Sequence, residues 1–172
     1  MGAKIAKDDS LHGMTLKRFA ASVLFERIFE ESMALIEECA HYLDGRGRTE
    51  SRALSHKAAL AYAGESMRVT TRLMQAASWL LIQRAVHEGD MSAEDAAQER
   101  YRLGGREMCI GKRRDGLSEL PRKLLDLLER SESLYKRVAR FDEVLFLGVE
   151  REPGLKSQIA RLEAAFGGAK TE

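Results

Sequence analysis

Glu38-Cys39-Ala40-His41 is the stretch best suited to chemistry. A Glu and a His three apart on a helix share a face and can hold a metal ion, as di-iron bundles require. Such a centre needs a second Glu-x-x-His and two more inward carboxylates, and the sequence has no second Glu-x-x-His. Glu31 and Glu38, seven apart, would serve a magnesium-dependent helical hydrolase only beside several carboxylates facing one cleft. The following helix offers only Glu65 before its end. A solvated acidic face is the default reading. Cys109, in Glu107-Met108-Cys109-Ile110-Gly111, has no His or acid fixed beside it and reads as an inert, partly buried thiol. Gly104-Gly105 and Gly111 lack the Gly-x-x-x-x-Gly-Lys spacing that cradles phosphate. Lys112-Arg113-Arg114 is a local basic patch, most simply a solvated loop. No catalytic residue, metal site or cofactor is expected.

Arg68, Arg72 and Arg84 are the remaining polar candidates, together with Glu65, which shares a face with Arg68 and Arg72. Guanidinium groups cannot lie unpaired in an apolar setting. The glutamates of the preceding helix are the expected partners, in ion pairs that fix register between helices or subunits.

The element that carries these arginines is Ser66 to His87, SMRVTTRLMQAASWLLIQRAVH, the most apolar unbroken stretch of the chain. It holds no Gly and no Pro, so nothing in it stops a helix. Met67, Met74, Leu81 and Ala85 form one stripe, and Leu73, Trp79, Leu80, Ile82 and Val86 lie largely off it. An arc this wide implies burial on more than one side. Arg72, Gln75, Gln83 and Arg84 interrupt it too often for a membrane span. Leu73, Met74, Trp79, Leu80, Ile82 and Val86 are therefore the expected core or dimer contacts. The Trp79 ring N–H must find a partner.

A first helix is expected over residues 15–44, with Phe25, Phe29, Met33, Ile36, Ala40 and Leu43 on one face and Leu24, Ile28, Leu35, Cys39 and Tyr42 widening it. Gly45 and Gly47 should end it. Thr49 or Ser51 should cap the central helix, with Gly64 as a weak point and an end near Gly89. Ser92 and Asp95 signal a short capped helix. Residues 102–116, with their glycines, read as a long mobile loop. After Leu120-Pro121 a third helix carries Leu124, Leu127, Leu128, Leu134, Val138, Phe141 and Leu145, with Ser131 at the missing step. Beyond Gly148 and Pro153-Gly154, Leu155, Ile159, Leu162 and Phe166 form a stripe that is helical only when docked.

The totals agree with this. The chain has 172 residues, 44% hydrophobic and 32% charged, with 2 prolines and a net charge of +1. That suits one helical domain and gives no reason to expect nucleic acid. Two distant cysteines outside any CxxC pair read as free thiols of a reducing compartment. The N-terminus lacks the core of a signal peptide, so a cytoplasmic location is expected.

The run Glu65-Ser66-Met67-Arg68-Val69-Thr70-Thr71-Arg72-Leu73-Met74, with Trp79-Leu80-Leu81 and Gln83-Arg84-Ala85-Val86, resembles the RcdA family, regulators of CtrA degradation. Glu31-Ser32-Met33-Ala34-Leu35, Leu120-Pro121, Glu129-Arg130-Ser131, Leu134-Tyr135 and Arg137-Val138-Ala139-Arg140 support it. The resemblance implies a dimeric three-helix bundle without enzymatic activity, an adaptor for the ClpXP protease in bacterial cell-cycle control. It implies the response regulator CpdR and a PopA-like cyclic-di-GMP-binding protein as partners, CtrA as cargo, transient residence at a cell pole, and a functional C-terminal tail.

The expectation is thus an all-α, antiparallel three-helix bundle, homodimeric, over residues 17–147, with a flexible leader at 1–16 and a flexible tail at 148–172. The alternatives are a dimeric helical scaffold for other protein partners and a metal-dependent helical hydrolase.

Overall fold

Ser22 shows how the chain starts its first long helix. Its hydroxyl donates to the Phe19 carbonyl (2.6 Å) and accepts from the Phe25 N–H (3.2 Å). A side chain bonded this way competes with the helix backbone behind it and caps the helix ahead. Residues 18–20 are helical, the chain bends at 21–22, and helix α1 runs Val23–Asp44 rather than from residue 15. The computed structural model describes residues 18–111 and 117–146. The leader, Lys112-Arg113-Arg114, and the tail with Leu155, Ile159, Leu162 and Phe166 lie outside the described residues.

The other helices are α2 (Arg46–Arg52), α3 (His56–Glu88), α4 (Ala93–Ala96), α5 (Arg106–Ile110) and α6 (Arg122–Phe146), with 3-10 turns at Glu99–Tyr101 and Leu117–Glu119. Among the described residues every regular element is helical.

The buried face of α1 is Phe25, Ile28, Ser32, Leu35, Cys39 and Tyr42, not the face centred on Phe29, Met33 and Ala40. Ser32 disguises it. Its hydroxyl is satisfied by the Ile28 carbonyl (2.6 Å), so a polar residue sits inside the apolar stripe at little cost. Gly45 does end α1, but Gly47 terminates nothing. It is buried in α2, where a Cβ would stand 2.4 Å from the Tyr62 hydroxyl and 2.8 Å from the Tyr42 carbonyl oxygen. Thr49 and Ser51 are inside α2, and α3 is capped by Ser55, whose hydroxyl accepts from the Ala58 N–H (3.3 Å). Helix α3 has 33 residues and passes through Gly64 unbroken. It ends at Gly89, whose φ of +87° suits a residue without Cβ.

The expected antiparallel arrangement holds for α1 against both other long helices. Glu26 meets Arg84 (3.7 Å), Glu31 meets Arg137 (2.5 Å), and Glu38 meets Lys123 and Arg130. It fails for α3 and α6, which run parallel. Ser55 bonds Glu119 (2.8 Å), Arg72 bonds the Leu128 carbonyl (3.0 Å), and Trp79 bonds Asp142 (2.8 Å), so position rises together along both. Two consecutive parallel helices need a connection that returns along their length. Residues 89–121 provide it, and the described part lies on α3 and α6 as a packed segment rather than a mobile loop. Ser92 caps α4, its hydroxyl accepting from the Asp95 N–H (3.0 Å) and donating to the Asp95 carboxylate (2.7 Å). Arg102 then clamps the Asp142 carboxylate through two hydrogen bonds (2.9 and 2.8 Å) and reaches its main-chain carbonyl with a third (3.4 Å).

The main core joins α1, α3 and α6 through Phe25, Leu35, Leu73, Trp79, Leu80, Leu127, Leu134 and Val138. Phe29, Ile36 and Ile82 pack at its edge, half-buried. A second small cluster of Cys109, Tyr135 and Ala139 lies under α5, with Leu103 against it.

Candidate functional site

Helix α3 carries two different surfaces, and the division is sharp. Its inner side holds buried polar groups. Arg72 is 1% exposed and donates from Nε to the Cys109 carbonyl (2.6 Å), from Nη1 to Leu128 (3.0 Å) and from Nη2 to Glu132 (3.2 Å). Arg68 donates to the Gly111 carbonyl (2.6 Å) and pairs with the fully buried Glu65 (3.5 Å). These arginines therefore tie the return segment and α6 to α3. The expectation that α1 supplies their glutamates holds only for Arg84, which meets Glu26 and Glu88 (3.2 Å) and lies over the Phe29 ring (4.4 Å). Return-segment carbonyls as arginine partners were invisible in the sequence, because main-chain acceptors leave no residue signature. Trp79 does find a partner, in Asp142, which also accepts from the Leu103 N–H (3.3 Å). The Gln83 amide is buried without a hydrogen bond among the described residues.

The outer side of α3 is uncharged. From Leu60 to Leu81 its exposed positions are Leu60, Ala63, Met67, Thr70, Met74, Ser78 and Leu81. Met67 and Met74 are each 66% exposed, Leu60 62% and Leu81 52%. The Thr70 and Thr71 hydroxyls bond back to the Ser66 and Met67 carbonyls (3.0 and 2.9 Å), which leaves their methyls as the outward chemistry. Of the expected interface residues, Leu73, Trp79, Leu80 and Val86 are core, Ile82 is half-buried, and Met74 faces out. Scattered apolar residues on a surface are ordinary, whereas these positions form a continuous uncharged strip about six turns long.

The chemistry-bearing residues are engaged elsewhere. Arg130, then Lys123, hydrogen-bond the Glu38 carboxyl and hold it down at about 2. Glu31 is taken by Arg137, while His41 faces solvent. Burial pushes both the Cys39 and Cys109 thiols up, away from the reactive thiolate. Among the described residues no group of three His, Cys, Asp or Glu side chains is placed to hold a metal ion, and no helix is long and apolar enough to cross a membrane. One cavity of about 240 Å³ lies between the return segment and α6, lined by Glu99, Arg102, Arg106, Tyr135, Asp142 and Glu143. Arg102 and Arg106 are already paired there with Asp142 and Glu143.

Comparison with known proteins meets this description. Residues 16–166 match the model of a family described as a protein of unknown function, DUF1465. The crystal structure of RcdA from Caulobacter crescentus CB15 is similar over 76% of this chain and 98% of that one, at 51% sequence identity and a TM-score of 0.62. No curated protein matches. A helical chain with its chemistry paired away, an uncharged outer strip and these two matches belongs to the RcdA family, DUF1465.

Proposed function

We propose that this protein is a non-enzymatic adaptor, a homodimeric three-helix bundle that delivers cell-cycle regulators such as CtrA to the ClpXP protease. The observation that carries the reading is the uncharged strip on α3. It is a surface for protein and offers nothing to a reacting substrate. RcdA kinship supports the place in CtrA control. It also supports CpdR and a PopA-like cyclic-di-GMP-binding protein as partners, and transient residence at a cell pole.

The strip itself favours a second copy as its occupant. Leu60, Met67, Met74 and Leu81 recur every seven residues, the spacing of a helix–helix seam, with Ala63, Thr70 and Ala77 as small residues between them. The order Leu-Met-Met-Leu also reads the same in both directions. An antiparallel α3 from a twofold-related copy therefore sets Leu60 against Leu81 and Met67 against Met74, the self-matching that a twofold interface requires.

The domain boundaries proposed are 1–16, 17–147 and 148–172. The last segment acts as a tether, with Leu155, Ile159, Leu162 and Phe166 docking on a partner and raising the local concentration of cargo. The test is cargo degradation by reconstituted ClpXP with the response regulator present. The intact chain should accelerate it, and truncation after Gly148 should slow it while helicity and dimer mass persist. If the intact chain leaves every candidate cargo unaffected, the adaptor reading is wrong. Full delivery by the truncated chain overturns the tether alone.

A further inference from the structure

We infer that α5, between Gly105 and Gly111, is a hinged strap that lifts from α3 and α6 as one unit while the three long helices stay folded. What holds it is mostly polar. Arg72 and Arg68 grip the Cys109 and Gly111 carbonyls (2.6 Å each), and Arg106 pairs with Glu143 in an exposed bridge. Its other large apolar side chains, Met108 and Ile110, are 54% and 40% exposed, so Cys109 alone plugs into the protein, against Tyr135 and Ala139. Lifting the strap therefore uncovers little apolar surface, the quantity that makes unfolding costly.

The groups left behind keep partners. Arg72 retains the Leu128 carbonyl and Glu132, and Arg68 retains Glu65. No buried charge is stranded by the opening. A hinge is also in place. Gly105 has φ of +74°, in the left-handed region that a residue without Cβ enters freely. The Tyr135 hydroxyl holds the neighbouring Gly104 carbonyl (2.7 Å) and so latches that hinge. The strap thus decides when the α3–α6 groove beneath it, floored by Tyr135 and the two guanidinium edges, meets solvent or a partner.

The two cysteines report the two kinds of opening separately. Cys109 is the plug of the strap, and Cys39 belongs to the main core. Both are buried, Cys109 at 0% and Cys39 at 3% exposure, so neither reacts readily without an opening. The experiment is modification of the native full chain by an aromatic disulfide reagent across low urea concentrations, with mass spectrometry assigning the site. Cys109 should react at least about tenfold faster than Cys39, with a shallower dependence on urea, since less surface is exposed. Tyr135→Phe, which removes the latch, should speed Cys109 about fivefold, the effect of one ordinary hydrogen bond, and leave Cys39 unchanged. Equal rates and slopes for the two thiols, or equal acceleration of both by Tyr135→Phe, would mean that α5 opens only with the whole protein.

Discussion

Replacing Met74 with glutamate should abolish the proposed pairing of two copies through α3 while leaving the fold intact. Leu60, Met67, Met74 and Leu81 are 62, 66, 66 and 52% exposed in the single chain. Covering them hides about two and a half large side chains per copy, at roughly 2 kcal/mol each when fully buried. Two copies together gain about 10 kcal/mol, against an association cost of roughly 4–15 kcal/mol. Gain and cost are of similar size, so the seam tolerates little added penalty. In the antiparallel register Met74 lies next to the twofold axis, and one substitution brings two carboxylates into a strip without cations. Each desolvated, unpaired charge costs several kcal/mol. The folding cost is different in kind. Met74 makes few core contacts, and a surface change of this sort stays within about 0.5 kcal/mol. Size-exclusion chromatography with light scattering at micromolar concentrations should report a dimer for the natural chain and a monomer for Met74→Glu. Far-ultraviolet circular dichroism and the urea midpoint of the monomeric form should barely move. A Met74→Glu chain that remains dimeric refutes the α3 seam, and one that loses its helicity refutes the exposure on which the argument rests.

Three further outcomes follow from the packing. Trp79→Ala removes a buried ring and one of the donors to Asp142, and should cost about 3–5 kcal/mol in urea unfolding. Gly47→Ala forces a methyl against the Tyr62 hydroxyl and the Tyr42 carbonyl, and should destabilise by about 1–3 kcal/mol in the same assay. Glu38 is held at about 2, below its ordinary 4.5, so its contribution is fully present above pH 4.5 and is lost as pH falls through 2. Because the bridge is partly solvated, Glu38→Gln should cost only about 1 kcal/mol at pH 7, and that difference from the natural chain should shrink below pH 4.5 and vanish only below about pH 2 in thermal melts.

What the sequence determined by itself is the set of long helices and the stops of the first two at Gly45 and Gly89, whereas their starts, at Ser22 and Ser55, lie elsewhere than the sequence signals placed them. The 3.6-residue period is local, and so are the signals at Gly89 and at Ser92 with Asp95. Trp79 needing a hydrogen-bond partner was equally legible, since an indole N–H has no other way to be buried. The lack of a second Glu-x-x-His was legible in the sequence, whereas the pairing of Glu38 with Lys123 and Arg130 was not. Only the tertiary structure decided which apolar stripe of α3 turns inward. Leu73, Leu80 and Val86 are buried while Met67, Met74 and Leu81 are exposed, yet both stripes are equally apolar in sequence. Periodicity defines faces but does not choose between two of them. The parallel course of α3 and α6 was hidden for a similar reason. A connection as long as residues 89–121 is compatible with either direction, and the choice rests on contacts far apart in the chain, such as Arg72 with the Leu128 and Cys109 carbonyls. Those acceptors are main-chain atoms that every residue carries, so no residue type announces them. They turn a glycine-rich stretch that reads as a loop into a packed segment.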